Sequence, residues 1–179
     1  MLIDTPRLRL RRFRAGDGPA LAAYRSDPAV ARFKAWEAPV SPESASALVR
    51  EFANGDPAEP GWFQYAVELT AEGVLVGDVG VRLHDNRMQA ELGYTLAADR
   101  QGKGYATEAV RAVLGDQFTR GLRRVSAECD ARNTPSARLL ERVGFQLEGR
   151  RPEYTWFKGE WTDDLLFGLL AERWRTLAR

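Results

Sequence analysis

From Arg7 to Arg11 the chain alternates arginine with leucine, and a period of two with apolar residues on one side predicts a first strand. Asp17 behind Gly16 is placed as an N-cap, and Leu21, Tyr24 and Arg25 carry a short helix that Asp27-Pro28 is expected to end. A second helix is predicted from Ser41-Pro42-Glu43. Ser41 caps it, Pro42 takes the first helical position and Glu43 suits the positive end. It runs to about Phe52 and stops before Asn54-Gly55. Apolar runs at Phe63 to Leu69, Val74 to Leu83 and Gln89 to Leu96 read as strands, with Glu72-Gly73 and Asp85-Asn86 as turn residues that tolerate positive φ. Helical spacing returns from Tyr105 to Phe118 through Ala109, Val110, Val113 and Leu114, and Gly121 is the stop. Val125 to Cys129 reads as a strand, Pro135 to Val143 as a helix, and Phe145 to Gly149 and Asp164 to Leu170 as the last strands. The order β-α-α-β-β-β-α-β-α-β-β describes one α/β domain over residues 1–179, with a mixed sheet and no internal repeat or linker.

Composition narrows the chemistry. A formal net charge of +1, with acids interleaved among the arginines, gives no field that would draw nucleic acid or membrane. No apolar run approaches the roughly 20 residues of a membrane span. The opening segment, Met1 to Arg14, carries charge throughout, unlike a signal peptide, so a cytoplasmic location is expected. The single cysteine, Cys129, excludes an internal disulfide and a cysteine metal cage, and the single histidine, His84, excludes a multi-histidine site; no metal is expected. His84 lies in His84-Asp85-Asn86-Arg87, a polar stretch that reads as an exposed turn rather than as a held catalytic base.

The most informative stretch runs from Glu91 to Ala106. A strand enters a basic loop with Gly102 and Gly104, and a long helix starts at once. Such a loop turns consecutive backbone N–H groups toward an anion at the helix's positive end, which suits a phosphate or pyrophosphate. The dinucleotide fingerprint G-x-G-x-x-G fails because Thr107 stands at its last position, and the P-loop fails because Gly104 follows Lys103. Gln101-Gly102-Lys103-Gly104-Tyr105-Ala106 does fit Q/R-x-x-G-x-G/A, and on it the chain resembles the GNAT superfamily of N-acetyltransferases. Asn133-Thr134-Pro135-Ser136, with Leu139-Leu140-Glu141 and Val143-Gly144-Phe145, is similar to a second segment of that superfamily. Thr5-Pro6-Arg7-Leu8-Arg9-Leu10-Arg11 and the later Gly159, Trp161, Asp163 and Phe167 resemble the opening and close of its RimJ/RimL-type branch, which acetylates ribosomal-protein N-termini.

The resemblance implies a central, mostly antiparallel mixed sheet of about six to seven strands flanked by about four helices, and acetyl-CoA as cosubstrate. It implies that Tyr94, Thr95 and Leu96 offer backbone groups to the pantetheine arm and that Gln101, Gly102, Lys103, Gly104, Tyr105 and Ala106 cradle the pyrophosphate. Asn133 would bond the pantetheine, or simply cap its helix, and Ser136 would lie near the sulfur. Partners would be acetyl-CoA and an amine, either a peptide N-terminus or a small amine; the family often dimerises, which leaves a homodimer open. A non-catalytic acyl-CoA-binding regulator is a third reading, since it would keep the same loop.

Direct transfer needs a deprotonated amine, a stabilised oxyanion and a leaving thiolate that is protonated or tolerated. Glu91 is the first candidate base, on a central strand where an uncompensated carboxylate would have its pKa raised, against the alternative of a structural ion pair. Glu153, Glu160 and Asp163 are weaker candidates. Many superfamily members carry a tyrosine where this chain has Leu140, so the usual general acid is missing and Ser136 is the substitute. Trp36, Glu37 and the aromatic group Tyr154, Trp156, Phe157 and Trp161 are candidates for gripping a cationic amine.

Overall fold

A computed structural model describes residues 3–177. Its one sheet has eight strands in the order β1-β2-β3-β4-β5-β6-β8-β7, slightly more than the six to seven that the resemblance implied. The strands are β1 (Ile3–Asp4), β2 (Leu8–Arg11), β3 (Gly61–Leu69), β4 (Val74–Leu83), β5 (Gln89–Leu96), β6 (Arg124–Asp130), β7 (Gln146–Phe157) and β8 (Glu160–Leu170). Every neighbouring pair is antiparallel except β5 and β6. The helices are α1 (Gly18–Ser26), α2 (Pro28–Ala31), α3 (Pro42–Ala53), α4 (Tyr105–Thr119), α5 (Thr134–Val143) and α6 (Ala171–Leu177).

Period two sorts the strand residues onto two faces. Leu8 and Leu10, with Phe63, Tyr65, Val67 and Leu92, enter the larger core, where Ala109, Val110, Val113 and Leu114 of α4 and Leu140 and Val143 of α5 meet them. A bulge at β4, where Val67 pairs Gly77 but Glu68 pairs Leu75, lets Val76 and Val79 join that same core although they are three residues apart. On the other face Ala66 and Leu75 pack with Leu21 and Tyr24 of α1 and with Ala45 and Val49 of α3. Ser41 caps α3 as expected, accepting from the Ser44 N–H at 3.1 Å.

Several local expectations need correction. Asp27-Pro28 ends α1 but also opens α2, with the Asp27 carboxylate capping the Ala29 N–H. Asp17 sits at the N-cap of α1 without capping it, because its carboxylate grips the buried Arg11 guanidinium in a two-bonded pair at 2.7 and 2.8 Å. In the β4–β5 turn the positive φ falls on Arg87 (53°), while the Asn86 side chain accepts from the N–H groups of Met88 and Gln89. The two short closing strands are parts of a long hairpin, β7–β8, and α6 follows β8 directly, stacking Trp174 on Phe118 of α4.

Candidate active site

The sheet forks at its centre. β5 is paired with β4 from Ala90 to Leu96, but β6 pairs with β5 only at Gln89–Arg124, Ala90–Val125 and Glu91–Ser126. Beyond Glu91 the second edge of β5 runs without a strand neighbour to Leu96, while β6 continues along β8 to Asp130. Buried backbone N–H and C=O groups are rarely left unpaired, so such an edge suits a ligand able to bond like a strand. Tyr94, Thr95 and Leu96 lie on this edge.

The two-glycine loop closes the end of the fork. Gly102 and Gly104 hold φ of 73° and 82°, a region that favours glycine, and Gly104 is the N-cap of α4 with no side chain capping it. The first-turn amides of α4 are therefore free to meet an anion, and the helix dipole favours one there. The Gln101 amide folds back to donate to the Leu96 carbonyl at 3.0 Å, joining the loop to the end of β5. The N-terminal segment buttresses the loop from outside. Arg7 donates to the Lys103 carbonyl (3.0 Å) and to Glu108 (2.6 Å), its guanidinium lies over the Tyr105 ring, and Thr5 donates to Glu108 (2.6 Å). Burial alone would raise the Glu108 carboxyl, but the hydrogen bonds from Thr5 and Arg7 outweigh it and hold it below the usual carboxylate range.

Across the fork, the Tyr94 hydroxyl meets Ser136 Oγ at 2.7 Å. Burial pushes the Tyr94 phenol up to about 12 despite that hydrogen bond. Asn133 Oδ1 accepts from the Ser136 N–H at 3.3 Å, so Asn133 does cap α5. Cys129 faces the same pocket from β6, its thiol pushed up to about 11, chiefly by burial. Leu140 is 1% exposed in the core, so this helix brings no hydroxyl to the fork at that position.

Glu91 stands at the last pair before the strands part, and it is neither isolated nor deeply buried. Its Oε1 accepts from Arg82 Nη1 at 3.2 Å and lies 3.0 Å from His84 Nε2, with the carboxylate 37% exposed. His84 thus leans back onto Glu91 instead of projecting from a turn. Among the other acids, Glu160 pairs with Arg132 at 2.7 Å, and Asp163 accepts from Arg150 and from the Glu153 N–H. Tyr154, Trp156 and Trp161 are more than half exposed on the β7–β8 hairpin, and the two tryptophans meet edge to face at 5.4 Å.

Two groups at the site escaped the sequence reading. Thr5 and Arg7 were visible only as motif letters and Glu108 not at all, with nothing local to show that they meet. Lys34 carried no signal at all, yet its Nζ donates to the Tyr94 carbonyl inside the fork. No helix is long and apolar enough to cross a membrane, and no group of three His, Cys, Asp or Glu residues comes together to hold a metal, among the described residues. A shallow depression between α1 and α3, lined by Gly18, Ala22, Val40 and Ser46, lies away from this chemistry.

The sequence matches the family described as acetyltransferase (GNAT) domain over residues 7–146. It is 32% identical to the uncharacterized N-acetyltransferase YnaD of Bacillus subtilis across 97% of this chain and 99% of that protein. A shorter stretch, 46% of this chain and 43% of the relative, is 36% identical to the [Ribosomal protein uS5]-alanine N-acetyltransferase of Escherichia coli. The fold superposes on a crystal structure of a GNAT-family acetyltransferase from Bacillus anthracis with a TM-score of 0.87, at 29% identity, covering 96% of this chain and 99% of that one.

Proposed function

This chain belongs to the acetyltransferase (GNAT) family and is an N-acetyltransferase; from that premise we propose that it moves acetyl from acetyl-CoA directly to the α-amine of a protein or peptide N-terminus. The observation that carries the donor half is the fork of β5 and β6 opposite the two-glycine loop at the start of α4. The peptide acceptor is supported by the likeness of Thr5 to Arg11 and Gly159 to Phe167 to the RimJ/RimL-type branch, and by the partial match to the uS5-alanine enzyme.

The donor fits the residues present. The edge of β5 at Tyr94, Thr95 and Leu96 has no strand neighbour and would pair with the two amides of the pantetheine arm, as an added strand would, sharing the Tyr94 carbonyl with Lys34 and the Leu96 carbonyl with Gln101. The N–H groups from Gln101 to Ala106 would take the pyrophosphate, with Lys103 adding charge from the loop. Asn133, whose Oδ1 is engaged by Ser136, keeps its side-chain N–H₂ for the pantetheine. An N–H of the Gly93–Thr95 segment would meet the oxyanion, and the Ser136 hydroxyl, held by Tyr94, would give the departing sulfur a hydrogen bond. No covalent enzyme intermediate is required once amine and thioester are held together.

Glu91 is the proposed base. It lies three residues along β5 from Tyr94, about 10 Å at strand spacing. A proton leaving an amine bound in the fork would reach it through water; His84 Nε2 lies 3.0 Å from the same carboxylate. A thiol-release assay with peptides of varied N-terminal residue, run beside amino acids, polyamines and aminoglycosides, tests the reading. Turnover of a peptide with none of the small amines supports it, and the reverse pattern overturns the peptide acceptor. Glu91→Gln is expected to slow turnover at least ~10-fold at unchanged acetyl-CoA affinity. Equal rates for the two proteins would remove Glu91 from the chemistry.

A further inference from the structure

Lys34 lies in the segment between α2 and α3, and its side chain enters the fork from the face that α1 and α3 cover. The ammonium donates to the Tyr94 carbonyl, three residues beyond the last β5–β6 pair. Asp78 of β4 draws on its charge, but no carboxylate lies within ion-pair distance of Lys34 among the described residues. Asp78 is engaged elsewhere, accepting from the Tyr24 hydroxyl at 2.5 Å with Arg25 Nη2 at 3.7 Å. A lysine ammonium has three donors, and here one is used.

The segment carrying Lys34 is held on both sides. Lys158, from the β7–β8 turn, donates to the carbonyls of Ala31 (3.0 Å) and Trp36 (2.9 Å). Trp36 Nε1 donates to the Arg25 carbonyl at 3.0 Å, and the Arg25 guanidinium lies 4.1 Å from the centre of the Trp36 ring. Lys34 is half-buried. A partly desolvated cation without an ion-pair partner is costly, and its retention at a ligand edge makes sense where negative charge develops.

Resting on the acetyl-transfer reading above, we infer that Lys34 is a catalytic residue: its ammonium meets the thioester sulfur in the fork and passes it a proton as the carbon–sulfur bond breaks. The amine nitrogen bonds to the acetyl carbon, the electron pair of the broken bond goes to sulfur, and a Lys34 Nζ proton goes with it. Neutral Lys34 is then reprotonated from solvent, while the proton shed by the acceptor nitrogen leaves toward Glu91. This supplies the acid that Leu140 does not. Ser136 can bond the sulfur, but neither an alcohol nor a phenol raised to about 12 is a good net donor near neutrality. Burial first, and then Arg25, lower the Lys34 ammonium, against Asp78 and Cys129, which raise it. The shift makes the ammonium a stronger proton donor than an ordinary lysine.

The test compares wild type, Lys34→Met and Lys34→Arg with saturating acetyl-CoA and acceptor across pH, with acetyl-CoA binding followed separately by calorimetry. Wild-type kcat is expected to fall on the alkaline side below the ordinary lysine value, ahead of Cys129 and Tyr94, which lie at about 11 and about 12. Lys34→Met should bind acetyl-CoA normally, lose about 100-fold or more in kcat and lack that alkaline fall. Lys34→Arg keeps a cation and a donor for the Tyr94 carbonyl but cannot release a proton, so it should be as slow as Lys34→Met. Recovery of turnover by Lys34→Arg would overturn the inference and leave Lys34 a tether. That comparison decides even if Lys34→Met fails to fold. An acetyl group found on Lys34 by mass spectrometry after incubation without acceptor would also overturn it, since Lys34 would then be a nucleophile. Failure of the wild type to bind acetyl-CoA would instead sink the donor reading itself.

Discussion

Replacing Glu108 by alanine should loosen the two-glycine loop, the proposed pyrophosphate cradle, from a position outside its Gln101–Ala106 amides. Glu108 lies in the first turn of α4 and accepts from the Thr5 hydroxyl (2.6 Å), the Arg7 N–H (3.0 Å) and Arg7 Nε (2.6 Å). The two bonds from Thr5 and the Arg7 backbone are worth about 1 kcal/mol each. The guanidinium pair is discounted to about 0.5 kcal/mol because Arg7 is 48% exposed. A carboxylate in the first turn adds a few tenths of a kcal/mol through the dipole. Glu108→Ala is therefore expected to lose about 2–3 kcal/mol, which for a chain of this size lowers Tm by about 8 °C. Calorimetric melting measures this, and titration with CoA measures the second effect. With Arg7 released, the Lys103 carbonyl loses its anchor and the loop amides lose preorganisation, so CoA should bind more weakly. A Tm within about 2 °C of wild type, together with unchanged CoA affinity, would refute the buttress, because 2 °C corresponds to 1 kcal/mol or less.

Gly104→Ala is expected to cost about 1–2 kcal/mol in urea unfolding, because φ is 82° and the new Cβ would sit 3.3 Å from Arg7 Nη2; CoA affinity should fall with it. Arg11→Leu would leave the buried Asp17 carboxylate without its cation, and Glu68 with only the longer contacts to Arg9 (3.6 Å) and Arg14 (3.8 Å), and should cost about 3–5 kcal/mol, read from the urea midpoint. The depressed Glu108 carboxyl stabilises the fold fully above its unfolded value of about 4.3, and that contribution is lost as pH falls through its lower folded value. Glu108→Gln should therefore flatten the acid side of the stability profile, with a parallel profile for the two proteins counting against it.

What could be read along the chain was whatever a local pattern encodes. The alternation at Leu8 and Leu10 gave a strand and its buried face, and Gly102 with Gly104 gave a tight loop with positive φ before α4, a region that favours glycine. The hairpin between Gln146 and Leu170 was cut short because no residue of β7 is buried and it has no apolar alternation; its pairing with β8 defines it. The setting of Glu91 was misjudged for a related reason. Arg82 lies directly across from it in the β4–β5 register and His84 closes the turn, so the carboxylate is compensated by residues that only the hairpin geometry brings together. Lys34 left no trace because its partner is a backbone carbonyl 60 positions away, a contact that no residue type at position 94 advertises.

The same contrast separates the donor site from the acceptor site. β5 and β6 are held by only three residue pairs, and the right-handed twist between neighbouring strands carries them apart once pairing stops. Across the gap the Tyr94 hydroxyl bonds Ser136 of α5, but a side-chain bond of this kind is worth about 1 kcal/mol and leaves most of the β5 edge open. A donor that pairs with that edge completes the sheet through backbone groups. Its recognition therefore depends on the path of the chain and on two glycines more than on side-chain identity, which is why a short motif finds it. On the proposed reading the acceptor would be met by the segment around Lys34 and Trp36 and by the β7–β8 hairpin that Lys158 ties to it, where the recognising groups would be side chains on connecting segments. Such segments vary without disturbing the sheet, so they can adapt one acetyl-transfer centre to different amines while the fork stays unchanged.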